Sequence, residues 1–505
     1  MLTTLGNKIL LTAMKNVNRY VVRGDEVQYE IFKNLILHGK QTLFGKQFNF
    51  DKIANQDDFR KIVPINDYEN LKPYIERIVT HKEQNVLWDS PVRWIAMSSG
   101  TTSDKSKYIP VTRESLHKCH YRAGKEMLAL YLNSFPKSKI LSGKTLVLGG
   151  SRQINALGDG IFTGDISAIL VSNLPFWADF SRTPDRKTIL LPDWEEKLEK
   201  LASKSIPANV TAMAGVPSWL MVLLKHIIQK TGKPILETWK NFEVFFHGGV
   251  SFTPYYEQYR KMLPSDSVNY WETYNASEGF FGVQYSPENK DLLLLLDCGI
   301  YYEFLPMEEW DKENPQTVML QDVEIGKNYA MIISTNGGLW RYKIGDTVEF
   351  TSKSPYLFKI TGRTKHFINA FGEEIVIDNA EAALKAACAA TGAIITDYTA
   401  APVYFGENSN GAHEWLIEFE TQPASIEKFT EILDNTLKKV NSDYEAKRSY
   451  NLSLGMPQVV ALPKATFFNW LKSKGKLGGQ NKVPRLCNNR TYVDEIKKQL
   501  ISDVE

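Results

Sequence analysis

Between about residues 140 and 350 the chain alternates short apolar runs with amphipathic ones, and this alternation limits its possible folds more than any other feature. Thr145 to Leu148, Phe242 to Phe246 and Tyr329 to Ser334 have strand character, whereas Trp194 to Lys204 and Ser218 to Lys230 carry helical periodicity. Strands that alternate with helices predict an α/β architecture. Glycine pairs follow several of these strands, at Gly149-Gly150, Gly248-Gly249 and Gly337-Gly338. Open α/β sheets hold ligands at such places, although glycines also end strands for backbone reasons alone.

At 505 residues the chain exceeds one ordinary hydrophobic core. The pattern changes around Gly362-Arg363-Thr364-Lys365, so the expected division is a large α/β domain over residues 1–365 and a small α+β domain over 366–505. In the small unit the spacing predicts helices over 379–390, 425–440 and 492–500 and a strand over 414–420. Residues 1–60 are expected to form helices packed on the first domain, with Val27, Ile31, Phe32, Leu35 and Ile36 on one face.

Sixty basic residues stand against 58 acidic ones, so the balance announces neither nucleic acid nor an anionic membrane as partner. Cys119, Cys298, Cys388 and Cys487 form no CxxC pair, which argues against a disulfide scaffold or structural zinc and suits a reducing cytoplasm. His117, Cys119 and His120 do not converge on a metal and lack a fourth ligand. The apolar patch Ile9-Leu10-Leu11 is interrupted by Lys8, Lys15 and Arg19 and reads as no leader. No apolar run is long enough for a membrane helix, so a soluble protein is expected.

The run Ser98-Ser99-Gly100-Thr101-Thr102-Ser103-Asp104-Lys105-Ser106-Lys107 gathers hydroxyls and lysines around one glycine. Hydroxyls and successive backbone N–H groups can wrap an anion, Gly100 permits a tight turn, and a lysine balances phosphate charge. Arg93 to Met97 reads as a strand before this loop, and Thr112 to Leu130 as a helix after it with Thr112 at the N-cap. The spacing lacks the second glycine of the common NTPase loop.

Three further segments follow in order: Tyr274-Asn275-Ala276-Ser277-Glu278-Gly279, Trp340-Arg341-Tyr342-Lys343-Ile344-Gly345-Asp346, and Gly479-Gln480-Asn481-Lys482-Val483-Pro484-Arg485. With the loop at 98–107, this order resembles the adenylate-forming enzymes, and in particular the auxin-responsive-promoter family of plant acyl-acid amido synthetases. Val63 to Glu69, Pro73 to Ile78, Tyr302 to Pro306 and Asp322 to Gly326 extend the likeness over nearly the whole chain.

The resemblance implies a two-step reaction with ATP and Mg²⁺, in which a carboxylic acid becomes an acyl-adenylate and an amine, typically an amino acid, displaces AMP. Transfer to coenzyme A and a non-catalytic nucleotide-binding protein are the alternatives. It assigns Ser98, Ser99, Gly100, Thr101 and Thr102 to the phosphates with Lys107 as their counter-charge, and Gly248, Gly249, Tyr274 and Ser277 to the nucleotide. Glu278 would hold magnesium, or else be a helix-start acid; Asp346 would accept from the ribose hydroxyls, with Arg363 following it. Lys365 would lie at a hinge that makes the C-terminal domain mobile, and Lys482 would be a lysine delivered to the site, or else part of a solvated basic loop.

Two departures from the family pattern stand out. Asp104 replaces a glycine, and Phe371-Gly372-Glu373-Glu374 stands where the plant enzymes carry a nucleotide-contacting lysine. Glu374 cannot do that lysine's work, so either another lysine substitutes or the second step is arranged differently. His247 is expected as a satisfied core residue, and Ala214 to Leu220 as a wall for the acyl group or an ordinary helix start.

Overall fold

A computed structural model describes residues 2–99, 106–148, 154–191, 193–310, 312–363, 367–406, 409–449, 454–474 and 483–502. Its central sheet has eleven strands and changes character at one of them. From Asn269–Ala276 outward in one direction, Val244–Gly248, Val210–Gly215, Lys144–Val147 and Arg182–Thr183 run parallel. In the other direction Gly279–Gln284, Leu292–Leu294, Tyr356–Arg363, Tyr342–Lys353, Asn328–Thr335 and Ile300–Pro306 are antiparallel. The parallel half is the part in which apolar strands alternate with helices. Its central strands Val210–Gly215 and Val244–Gly248 are buried almost throughout, as strands covered on both faces are.

The predicted strands and helices appear within a few residues of their expected bounds. Pro217–Thr231 opens with proline at its first position and ends at Gly232 in the left-handed region, a start and stop that proline and glycine favour. The N-terminal helix Leu2–Val22 packs on Tyr121–Ser134, with the Tyr20 hydroxyl donating to Glu126 at 3.0 Å, and Gly24–Gly39 packs on the antiparallel half, where Gln28 Nε2 donates to the carbonyls of Leu296 and Ile300 at 2.8 and 2.9 Å. Val27, Phe32, Leu35 and Ile36 are buried on the anticipated face.

The smaller C-terminal unit is a three-stranded sheet of Ile394–Val403, Ala412–Thr421 and Gln458–Leu462, with the helices Ile377–Thr391 and Ile426–Val440. It shares one hydrophobic core with the helices of the parallel half, and Ser218 Oγ donates to the Phe371 carbonyl at 3.0 Å across the junction. The 365/366 boundary and Lys365 fall outside the described residues. Among the described residues no helix is long and apolar enough to cross a membrane.

Candidate active site

A cavity of about 590 Å³ opens where the sheet changes from parallel to antiparallel. Leu148, Gly215, Val216, Gly248 and Gly249 reach it from the C-terminal ends of parallel strands, and Thr273, Asn275 and Ala276 from the end of the switch strand. Open sheets leave a crevice at this point because connections depart to opposite faces. Its apolar wall includes Met127, Leu170, Val171, Val216 and Trp219. The anticipated segment Ala214 to Leu220 thus contributes four lining residues: Ala214, Gly215, Val216 and Trp219.

The hydroxyl-rich run is flanked by two paired strands. Trp94–Ser99 pairs antiparallel with Ser106–Val111, with Ser98 opposite Lys107. The sequence predicts a helix directly after the loop; a second strand intervenes, and its Pro110 is tolerated because this is an edge strand. The hydroxyl of Thr112 then accepts from the Ser115 N–H at 3.0 Å, the capping role expected of it, although the first turn at Ser115–His120 is π-helical before Tyr121–Ser134 continues as α. Cross-strand partners share a face, so Ser98 and Lys107 enter the cavity together. Gly100, Thr101, Thr102 and Asp104 lie outside the described residues, and Ser99 is placed only by its register opposite Ser106.

Ser277 and Glu278 form the two-residue turn between Asn269–Ala276 and Gly279–Gln284, and both line the cavity. Glu278 is therefore not a helix-start acid. Tyr274 and Asp346 are buried, and the Tyr274 hydroxyl donates to Asp346 Oδ2. Register sets Arg363 directly opposite Asp346. Tyr274 and Asp346 are absent from the described lining of the cavity, whereas Ile344 of the same strand as Asp346 belongs to it.

Gly248 and Gly249 both face the cavity. A Cβ on Gly248 would lie 2.4 Å from the Thr273 carbonyl oxygen, and Gly249 has φ +82°, so each position demands glycine for its own reason. Gly338 instead packs against Leu87, away from this site, and Gly149-Gly150 lie outside the described residues. His247 is buried and stacked on Phe252 at 4.0 Å between ring centres, but its Nδ1 has no hydrogen-bond partner, contrary to the expectation of a satisfied core histidine. Burial pushes its pKa down to about 3, so it is no base at neutral pH. His120 lines the cavity and is likewise held down, to about 4, by burial. The Cys119 thiol, pushed up to about 12 by burial, receives the Phe280 N–H, and no cluster of three potential metal ligands exists among the described residues.

The segment at 371–374 has a clear structural logic. Glu373 is completely buried, accepts from the backbone N–H groups of Ala370 and Phe371, and pairs with His413 Nε2 at 2.8 Å. That anchor presents Gly372 and Glu374 to the cavity, with Glu374 held at φ 39°. Lys447, from the helix Ser442–Arg448, lines the same wall. Nothing in its local sequence marked Lys447 or Asp443 for this place. Lys482 lies outside the described residues.

Comparison with known proteins adds three domain matches in chain order: the GH3 family N-terminal domain at residues 13–268, the GH3 family central domain at 293–363 and the GH3 family C-terminal domain at 378–491. The chain is 22% identical to an indole-3-acetic acid-amido synthetase of Arabidopsis thaliana, over 97% of this chain and 94% of that one. An acyl acid amido synthetase solved with 2,4-DB superposes with a TM-score of 0.62 at 17% identity, over 97% and 96% of the two chains. A 2-hydroxyisobutyryl-CoA ligase superposes with a TM-score of 0.56 at 13% identity, over 95% and 92%.

Proposed function

Because this chain belongs to the GH3 family, we propose that it is an ATP-dependent acyl-acid amido synthetase, and one observation carries the reading. A single cavity at the sheet's switch point joins the Ser98–Lys107 hairpin, the Ser277–Glu278 turn and an apolar wall. Phosphate chemistry and an uncharged acyl group can therefore meet in one place.

In the first step an oxygen of the acid's carboxylate attacks the α-phosphorus of ATP, the bond to pyrophosphate breaks, and pyrophosphate leaves with the electron pair. Charge builds on the phosphates, so Lys107 and the hydroxyls of the hairpin act where it develops. Glu278 offers an oxygen ligand beside the phosphate site, and one carboxylate together with phosphate oxygens is how magnesium is ordinarily held. When bound, the ion neutralises phosphate charge. The family resemblance assigns Asp346 and Tyr274 to the nucleotide's sugar and base side, with Ile344 of the Asp346 strand in the cavity lining, and Gly248 and Gly249 let backbone approach the nucleotide closely.

In the second step the amine nitrogen attacks the acyl carbon and the bond to AMP breaks. Of an ammonium's three protons, one remains on the amide nitrogen and two leave to solvent or to AMP. Met127, Leu170, Val171 and Trp219 favour an acid whose body is apolar.

The test incubates the purified protein with ATP, magnesium and pooled aryl and aliphatic acids, and follows AMP and pyrophosphate. Added amino acids are expected to stimulate turnover and yield a new amide mass. Stimulation by coenzyme A alone would move the protein to thioester formation, and ATP binding without turnover on any acid would sink the enzyme reading.

A further inference from the structure

Amide formation with an amino acid poses an electrostatic problem that the phosphate loop does not solve. The acceptor brings a carboxylate next to its reacting amine, and taking that charge out of water without a partner is strongly unfavourable. Among the described residues lining the cavity, two ammonium groups are present, Lys107 and Lys447. Lys107 stands opposite Ser98 in the phosphate hairpin. His120, neutral above about pH 4, adds no charge.

From this we infer that Lys447 receives the α-carboxylate of the amino-acid acceptor, with Glu374 and Asp443 receiving its ammonium. The inference rests on the amide-forming reading above. Lys447 is 9% exposed and is held where a carboxylate could meet it: its Nζ lies 4.2 Å from the centre of the Trp219 ring. A desolvated ammonium over an aromatic face is stabilised by the ring's quadrupole and loses little further freedom on binding. A Cβ on Gly372 would come within 3.1 Å of Lys447 Cε and 3.3 Å of its Nζ, so the glycine leaves the space that the ammonium uses.

The acidic half of the subsite is built by separate means. Asp443 and Lys447 are four residues apart on one helix and therefore share a face, and both line the cavity. Glu374 is carried there in a left-handed backbone conformation, its N–H donating to Asn369 Oδ1 at 3.3 Å and its carbonyl accepting from Asn441 Nδ2 at 2.9 Å, next to the buried Glu373 anchor. Backbone strain held by so much surrounding structure is characteristic of a functional position. One ammonium for the carboxylate and two carboxylates around the ammonium place opposite charge at both ends of a zwitterion, with one negative charge in excess. The segment that lacks the plant enzymes' lysine is the segment whose glycine admits Lys447.

The experiment uses the full-length protein, ATP, magnesium, an acid that supports pyrophosphate release, and matched pairs of each amino acid and its carboxamide. The wild type should favour the best amino acid over its carboxamide by roughly thirty- to a hundred-fold in kcat/KM. Lys447→Met should reduce that preference to less than about five-fold, and Lys447→Arg should restore most of it. The preference is a ratio within one variant, so a general loss of activity cancels. If Lys447→Met does not fold, Lys447→Gln supplies the same measurement. An unchanged preference in a folded neutral variant overturns the inference, and so does a wild type indifferent to the carboxylate. Failure of the amide-forming reading looks different: no amide mass with any amine, with AMP released only when coenzyme A is added, and that result also overturns the inference.

Discussion

The hydroxyl of Tyr274 donates to Oδ2 of Asp346, joining the switch strand to a strand of the antiparallel half of the sheet. Both side chains are buried, so the bond holds the carboxylate in one orientation before nucleotide arrives. Asp346→Ala is expected to abolish acid-dependent pyrophosphate release. Tyr274→Phe keeps the carboxylate but removes this hydrogen bond, and should raise KM for ATP roughly tenfold, about 1.4 kcal/mol. Steady-state kinetics with ATP varied check both, and wild-type values in the two variants would remove this pair from nucleotide binding.

Lys107→Ala should lower kcat for the adenylation step by about 10² to 10³, the usual consequence of losing one donor to developing charge. Circular dichroism and thermal unfolding should remain near wild type, because Lys107 sits on an edge strand and is only partly buried. Pyrophosphate release at saturating ATP is the measurement.

Gly248→Ala should be destabilising and inactive. The added methyl would meet backbone oxygen of Thr273 at 2.4 Å, and a carbonyl in a strand cannot swing aside as a side chain could. A drop in the thermal midpoint together with lost ATP binding is expected; an active, equally stable variant would show that the strands can separate there.

Breaking the buried Glu373–His413 pair should cost stability before it costs chemistry. Glu373→Ala leaves two backbone N–H groups and a histidine without their acceptor, a loss of about 3–5 kcal/mol. Denaturant unfolding checks the magnitude. This segment also illustrates what could be read from sequence: the mismatch at 371–374 was visible as residues, but the separate work of Glu373 and Glu374 was not. Adjacent residues point to different surroundings, and only packing reveals that one is an internal anchor and the other faces the cavity.

Acid should destabilise the fold through two buried histidines. Well above pH 6.5, the ordinary histidine pKa, the histidines are neutral in both folded and unfolded chains, so stability has its full value there. As the pH falls from about 6.5 to about 4, the unfolded chain takes up a proton that His120 refuses in the fold; for His247 the window extends to about 3. The unfolded state then binds more protons, and stability declines by about 2 kcal/mol per histidine at pH 5. His247→Phe, which keeps an aromatic ring against Phe252, should flatten part of this decline when unfolding is measured from pH 7.5 to 5.

What the sequence determined by itself is the local order: apolar runs of strand length, amphipathic helices, the proline and glycine that begin and end Pro217–Thr231, and motifs whose residue types suit phosphate and carboxylate chemistry. Such signals are legible because they depend on neighbours a few residues apart. Tertiary structure decided which of them meet. It set Lys107 opposite Ser98 in paired strands, made Ser277–Glu278 a turn at the sheet's switch point, and brought Lys447 to Gly372 and Trp219 from a helix with no motif of its own. Contacts between residues distant in the chain follow from how helices and sheets bury their apolar faces together, and no local pattern encodes that geometry.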